Sequence, residues 1–377
     1  MRFHSAFPPG ATRWLAGCLV ALIAIAQCST TNAATHAATH GHATKKPSKA
    51  KTRPAERAQP VYGSNETAMR FAAALDEQEG WSDGWAQRWI ARAQYNPSVV
   101  RLMLPAPAGT PKNWAAYRDR FIEPRRLQAG LRFWQSHADA LQRAEAEYGV
   151  PAWLIVGIIG VETLYGQHTG NYRALDALTT LAFDFPAEHP RAQQRSTFFQ
   201  SELAALLRLA RQEGVAPDEW RGSYAGAMGL PQFMPSNWSK LGVDFDRDGH
   251  IDLLGSPGDA IASVARYLQS HGWRPGMPTH YAVNVSNASA GMAELLAPDI
   301  LPTFSAERMQ ALGAELEPTA RAHTGTLALV ELQNGTQPPS YVAGTENFYV
   351  VTRYNWSSYY ALAVIELGQA VQALLPR

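Results

Sequence analysis

One carboxyl group stands out because of the apolar residues around it. Glu162 follows the hydrophobic run 150–161, and it lies four residues after Ile158 and eight after Leu154, which puts it on the buried stripe of a helix. Burial favours the neutral form of a carboxyl group, so the pKa of Glu162 should rise toward that of a general acid. No Lys or Arg occurs from this run to Tyr172 that could form a local ion pair. The alternative is a partly exposed or ion-paired structural residue.

A second candidate is the run of small residues 222–236, which carries one amide side chain, Gln232. Its glycines at 222, 226 and 229 allow a ligand or another backbone to approach closely. The amide of Gln232 can donate and accept hydrogen bonds with hydroxyl or N-acetyl groups, such as those of sugars. The run therefore suits the floor of a groove, although a tight packing turn between helices is an alternative.

The acidic loop 244–252 predicts a cation site. Its aspartates occupy positions 1, 3, 5 and 9 of an EF-hand-like loop, with glycine at position 6 and isoleucine at position 8. Hard oxygen ligands favour Ca²⁺, with Na⁺ as the other candidate, and a solvated polar turn is the alternative. Position 12 is Gly255 in place of the usual glutamate. The candidate ligands in this loop are Asp244, Asp246, Asp248, His250 and Asp252.

The elements that must position these groups are mostly helices. The helix that carries Glu162 should begin at Pro151 and end at Gly166. Two segments alternate like strands, 276–289 and 324–351, the second of which includes Tyr349 and Val351. The other stretches with helical spacing are 66–148, 195–212, 257–271 and 357–375. The predicted class is mainly α (α+β), with a small β subdomain.

The amino terminus predicts export. Arginines precede the apolar run 15–26, which is too short for a comfortable membrane span, and this is typical of a signal peptide over 1–33. Cys18 and Cys28 both lie within it, so cleavage after Ala33 would leave no thiol. Residues 34–60 lack large apolar side chains, which predicts a disordered linker over 34–62. Its histidines could bind metal, but a solvated tether is favoured.

Bulk composition excludes one class of partner. The chain has 377 residues, 46% of them hydrophobic and 17% charged, which is enough to bury a large core. The formal net charge of +1 gives no general attraction to nucleic acid or to an anionic surface. We therefore expect no nucleic-acid partner.

Several motifs appear in order along the chain. They are YGVP at 148–151, IVGIIGVET at 155–163, DALTTLAF at 176–183, GAMGLPQFMPS at 226–236, DFDRDGH at 244–250, HGW at 271–273 and TRYN at 352–355. Together they resemble the membrane-bound lytic murein transglycosylase B family. The resemblance spans about residue 65 to the carboxyl terminus, and it implies a lysozyme-like helical core with an additional helical domain and a small sheet domain.

The resemblance implies that Glu162 acts as general acid and then as base on the bond between N-acetylmuramic acid and N-acetylglucosamine, producing 1,6-anhydro ends without water. It also implies that Asp259 completes the metal site, which would be structural because the chemistry requires no cofactor. The sugar-binding residues would be Ser223, Gln232, Phe233, Tyr354, Asn355 and Tyr117.

Two alternatives remain. A lysozyme-type hydrolase would need a second carboxylate such as Asp176 or Asp184. A wall-binding scaffold would need no turnover. The expected partners are peptidoglycan glycan strands, with cell-wall synthesis proteins as further candidates, and the expected state is a monomer.

The expected location is the periplasm of a Gram-negative bacterium, with lipid anchoring to the outer membrane as a weaker option. The predicted divisions are 1–33 signal peptide, 34–62 linker, 63–148 N-terminal helical domain, 149–275 catalytic core with the EF-hand-like loop, 276–351 small α/β subdomain and 352–377 C-terminal helix returning to the core.

Overall fold

A computed structural model describes residues 60–105, 111–286 and 290–376. The predicted signal peptide, with both cysteines, and nearly all of the predicted linker, with His36, His40 and His42, lie outside the described residues. Within them, no single helix has both the length and the apolar character needed to cross a membrane. Two consecutive helices, Ala138–Tyr148 and Ala152–Thr163, meet those criteria only together, and the chain bends by 116° between them.

The N-terminal helices share one hydrophobic core with the central helices, since Leu75 and Ile90 belong to the same buried cluster as Leu154 and Leu178. After a short 3₁₀ helix at Tyr62–Ser64, they are α1 (Glu66–Glu79), α2 (Trp85–Arg92), α3 (Pro97–Leu102), α4 (Trp114–Arg118), α5 (Pro124–Ser136) and α6 (Ala138–Tyr148).

The central helices surround one almost wholly apolar helix, whose residues from Leu154 to Thr163 are all buried. Its carboxyl end differs from the prediction, because Leu164 and Tyr165 already adopt left-handed φ values of 50° and 58°. The central elements are α7 (Ala152–Thr163), β1 (Tyr172–Arg173), α8 (Ala174–Phe183), α9 (Ala192–Glu213), β2 (Arg221–Gly222), α10 (Pro235–Leu241) and α11 (Pro257–Ser270).

A four-stranded antiparallel sheet forms most of the small subdomain. Its elements are β3 (His280–Val285), α12 (Met292–Leu296), α13 (Ala306–Ala311), β4 (Ala314–Leu316), α14 (Pro318–Arg321), β5 (Ala328–Asn334) and β6 (Gln337–Gly344). The strand order is β4-β3-β6-β5. Strand β5 faces two cores, because Ala328 and Val330 join the main core, whereas Leu329 and the preceding Leu327 line a second, smaller one.

The strand prediction for Tyr349 and Val351 is wrong, because both lie in helix α15 (Glu346–Thr352). The Oγ1 of Thr345 caps this helix by accepting hydrogen bonds from the backbone amides of Asn347 and Phe348. Buried Asn347 fixes it further through hydrogen bonds with the Arg274 backbone. These contacts override the alternation of apolar residues.

The last helix, α16 (Ser358–Gln372), returns to the core as predicted and packs along α7. Glycines make this contact close. A Cβ atom at Gly157 would collide with the carbonyl of Val364, and one at Gly368 would collide with the carbonyl of Trp153. The two backbones therefore approach each other at two points, which fixes the side chains that α7 and α16 direct toward each other.

Candidate active site

Glu162 lies in the last turn of α7 with only 6% of its surface exposed. Its Oε1 accepts a hydrogen bond of 2.6 Å from the hydroxyl of Tyr360, which is 2% exposed. Burial raises the pKa of Glu162 to about 7, although the Tyr360 hydrogen bond opposes this rise by favouring the carboxylate. Within the described residues, no basic side chain forms an ion pair with it. The group is thus poised to hold or release a proton near neutral pH.

Tyr360 stands opposite Glu162 because α16 crosses α7 at the two glycine contacts. Burial raises the pKa of Tyr360 well above 10, so its hydroxyl stays protonated and donates to the carboxyl group. The sequence predicted Tyr360 only as part of the last helix, 357–375. Its contact with Glu162 could not be predicted, because the two residues lie 198 positions apart in the sequence.

Tyr354 continues the aromatic wall beside this pair. Its ring stacks on that of Tyr360 at a centroid distance of 6.3 Å and an interplanar angle of 14°. Its hydroxyl donates a hydrogen bond of 2.6 Å to the backbone carbonyl of Pro231, in the run of small residues. The wall therefore joins the entry to α16 to the predicted groove floor.

The floor residues Ser223 and Gln232 are both 8% exposed. Gln232 has a left-handed φ of 51°, and its Nε2 donates to the backbone carbonyls of Thr169 and Gly229 at 3.0 and 3.1 Å. These bonds leave its Oε1 as the atom that can accept from a ligand. The Oγ of Ser223 accepts from the Ala227 amide at 3.1 Å, which leaves its hydroxyl proton available.

One predicted sugar-binding residue, Phe233, has a buried side chain. The ring of Phe233 is 1% exposed and packs between Tyr267 and Tyr354, with centroid distances of 5.7 and 6.0 Å. A buried ring cannot stack on a sugar. The side chain of Phe233 instead supports the position of Tyr354.

The remaining predicted sugar-binding residues, Tyr117 and Asn355, share one cavity. Burial raises the pKa of Tyr117 to about 12, and the nearby charge of Glu162 adds to this rise. Asn355 is 7% exposed, and its Oδ1 has no hydrogen-bond partner among the described residues. Tyr117 and Asn355 both line a cavity of about 740 Å³.

The two aspartates that a hydrolase could use are engaged elsewhere. Asp176 accepts a hydrogen bond of 2.9 Å from the backbone amide of Gln94 and lies 3.5 Å from Arg173. Asp184 accepts from the hydroxyl of Tyr62. Neither contacts Glu162 in the described parts of the chain, which leaves this carboxyl group without an acidic neighbour.

The acidic loop brings together three of the predicted metal ligands, Asp244, Asp246 and Asp259, with one carboxylate oxygen from each lying within 4.8 Å of the others. Asp259 is 1% exposed, and its carboxylate also accepts from the backbone amides of Phe245 and Asp252 at 2.8 Å. Hard oxygens at this spacing fit a cation such as Ca²⁺.

The other predicted ligands lie outside this cluster. Asp248 accepts from the backbone amide of His250, and Asp252 accepts from those of Leu254 and Gly255. The exposed ring of His250 lies 3.7 Å from Glu213. Short Asx-type turns occupy these carboxylates, which the spacing of the loop could not reveal.

The comparison with known proteins decides the family. Residues 63–369 match the family described as the Transglycosylase SLT domain. The chain belongs to this family. It is 39% identical over 319 residues to membrane-bound lytic murein transglycosylase B of Escherichia coli strain K12, covering 82% of this chain and 84% of that protein.

Two solved structures share the fold. The Escherichia coli lytic transglycosylase Slt35 in complex with calcium is 37% identical, with a TM-score of 0.71 over 86% of this chain and 99% of that one. SltB3 from Pseudomonas aeruginosa in complex with NAG-anhNAM-pentapeptide is 30% identical, with a TM-score of 0.64 over 80% and 79% of the two chains. The predicted fold class and family resemblance are confirmed, and the protein is a lytic transglycosylase that acts on peptidoglycan.

Proposed function

We propose that Glu162 alone carries the chemistry, first as general acid and then as base, and that the product is a 1,6-anhydro-N-acetylmuramoyl end. The observation that supports this most is the solitary, buried carboxyl group with a pKa near 7 and one tyrosine donor. A pKa close to ambient pH suits a group that must both give and take a proton.

Protonated Glu162 would give its proton to the glycosidic oxygen between N-acetylmuramic acid and N-acetylglucosamine, and the bond to the muramoyl anomeric carbon would break. The resulting carboxylate would take the proton of the muramoyl C6 hydroxyl as its oxygen bonds to that carbon. Glu162 ends protonated, and no water is consumed. Because the nucleophile is part of the reacting sugar, proximity replaces a second carboxylate.

A hydrolase on the same fold is the second candidate function. It would need a carboxylate that directs water to the opposite face of the sugar. The engagement of Asp176 with Gln94 and Arg173, and of Asp184 with Tyr62, argues against both as that group.

Digestion of purified sacculi tests this mechanism. The parent protein should release anhydromuramoyl products, and Glu162→Gln, which keeps the shape and the Tyr360 contact, should lose activity about 10²-fold or more. Reducing muramic acid ends from the parent would support the hydrolase. Equal activity of the two proteins would remove Glu162 from the mechanism, and inactivity of both would support a non-catalytic scaffold.

Ser223, Gln232, Tyr354, Asn355 and Tyr117 are proposed to bind the glycan strand. Their support is the groove wall and floor described above, together with the peptidoglycan fragment bound by SltB3. Phe233, which was predicted with this set, is proposed to act indirectly by packing on Tyr354. A monomer, and encounters with cell-wall synthesis proteins, remain predictions.

Asp244, Asp246 and Asp259 are proposed to hold a structural Ca²⁺. Slt35, which resembles this chain, has been solved with calcium. Asp248, His250 and Asp252 remain predicted ligands that would have to leave their present hydrogen bonds or contribute through the backbone. The cation would screen the repulsion of the loop carboxylates and take no part in the reaction.

A periplasmic or outer-membrane-associated location is also proposed, in line with the membrane-bound relative. Sequencing of the mature amino terminus by mass spectrometry would test both cleavage after Ala33 and the weaker option of a lipid anchor.

A further inference from the structure

The 740 Å³ cavity lies next to the proposed reaction centre. Tyr359, which lines it, precedes Tyr360, so the first turn of α16 separates the cavity from Glu162. Tyr117 also lines the cavity, and it lies close enough to Glu162 for the charge of that carboxylate to raise the pKa of Tyr117. A strand bound at Glu162 would thus have its substituents within reach of this cavity.

Its walls combine aromatic rings with polar groups. The rings of Tyr117 and Tyr359 meet edge to face at a centroid distance of 5.8 Å, and Trp356 and Asn113 also line the cavity. The backbone is tied down as well, because the carbonyl of Lys112 accepts from the amide of Gly335 at 2.9 Å. The cavity is therefore built from fixed elements of both the N-terminal helices and the small subdomain.

Two cations in this cavity lack an acidic partner among the described residues. The Cζ of Arg120 lies 4.5 Å from the ring centroid of Tyr117, and the Nζ of Lys112 lies 6.0 Å from that of Tyr359. Neighbouring Arg118, by contrast, pairs with Glu366. Stacking on the rings positions the two cations without neutralising their charge.

The charge of the cavity favours an anion. Asp299 is the single acidic residue among the described lining residues, so Arg120 and Lys112 leave a net charge of +1. An arginine is suited to bind a carboxylate through two parallel hydrogen bonds, and a lysine contributes a point charge.

We propose that this cavity binds a carboxylate that the peptidoglycan strand carries beside the cleaved bond, with Arg120 and Lys112 as its partners. The inference rests on the proposed function, because it assumes that the strand binds at Glu162. Such a carboxylate has two sources. It belongs either to the peptide stem attached to the muramoyl lactyl group or, once the stem is removed, to the lactyl group itself.

Binding is measured by titration calorimetry in the Glu162→Gln background, so that no ligand is consumed. The three ligands are glycan oligomers with peptide stems, the same oligomers after an amidase has removed the stems, and neutral chitooligosaccharides of equal length. The variants are Arg120→Gln, Lys112→Gln and the double variant. Arg132→Gln is the matched control, because Arg132 is exposed but does not line the cavity.

The double variant should bind stem-bearing oligomers about tenfold more weakly, and each single variant about threefold more weakly, with chitooligosaccharides and the Arg132→Gln control unchanged. Arg120→Lys should recover part of the affinity, and added salt should reduce the difference between parent and variants.

The stem-free oligomers identify the source. If the variants lose affinity for the stem-bearing oligomers but not for the stem-free ones, the stem supplies the carboxylate. If they lose affinity only for the stem-free oligomers, the lactyl group supplies it, because its carboxylate is free only there. A loss for both kinds of oligomer shows that the cavity accepts a carboxylate from either source. An equal loss for the neutral chitooligosaccharides, or no loss for any ligand, would overturn the proposal. Since binding is measured without turnover, these outcomes do not depend on which product the enzyme forms, so a failure of the proposed mechanism remains distinguishable.

Discussion

The hydroxyl of Tyr360 should set the proton affinity of Glu162, and Tyr360→Phe removes that hydroxyl with little change in packing. The bond is short, at 2.6 Å, and both partners are almost fully buried. A hydrogen bond to a charged group is worth about 1.5–3 kcal/mol, and a pKa unit corresponds to about 1.4 kcal/mol. Losing the bond should therefore raise the pKa of Glu162 from about 7 by about one to two units.

The direction of the change in activity follows from the role of the acid. In the free enzyme, the protonated form of Glu162 is the active one, so kcat/KM should fall as the pH rises through its pKa. In Tyr360→Phe this alkaline limb should move to higher pH by the same one to two units. At pH 5.5 kcat should fall about tenfold, because the carboxyl group is less firmly positioned.

The assay is the initial rate on soluble glycan oligomers between pH 4.5 and 9.5 for the parent and the variant. Tyr349→Phe is the control, because its hydroxyl interacts with Arg353 at 3.2 Å and not with Glu162. An alkaline limb that stays in place, or moves to lower pH, would refute the assignment of this hydrogen bond.

Three further predictions concern stability. Because burial raises the pKa of Glu162 from 4.5 to about 7, Glu162→Gln should be more stable than the parent by about 3 kcal/mol at pH 8. In urea unfolding this gain in stability should vanish as the pH falls from 7 to 4.5, and a difference that stays constant with pH would contradict the prediction. Gly157→Ala should lower the free energy of unfolding by about 1–3 kcal/mol and impair activity. Gly258→Ala, whose added Cβ would have no atom closer than 3.7 Å, should be nearly neutral, and equal effects of the two substitutions would contradict the close approach of α7 and α16. Calcium should raise the melting temperature of the parent and of Asp248→Ala but not of Asp246→Ala, and a retained shift in Asp246→Ala would exclude the proposed cluster.

The sequence predicted the local parts of the site well. The apolar spacing around Glu162 placed it on a buried helix, and the structure leaves it 6% exposed. The apolar face of the last helix predicted its return to the core, where it now packs along α7. Both features depend on periodicity within one segment, which a sequence displays directly.

The errors arose where contacts between distant segments decide the structure. No spacing rule links Tyr360 to Glu162, since their meeting depends on two glycines at a helix crossing. The sequence could not show that the ring of Phe233 is buried, because this burial depends on packing against Tyr267 and Tyr354 from two other segments. Residues 349 and 351 were predicted to lie in a strand, but they lie in helix α15, which buried Asn347 fixes by hydrogen bonds with the backbone of Arg274, 73 residues away.

The proposal that Glu162 acts alone is tested most directly by digesting peptidoglycan in water enriched in ¹⁸O and measuring the masses of the released muropeptides by mass spectrometry. Ring closure by the muramoyl C6 hydroxyl predicts products that lack the mass of one water and carry no ¹⁸O. Products with a reducing muramic acid that has gained one ¹⁸O atom at the time of cleavage would contradict it.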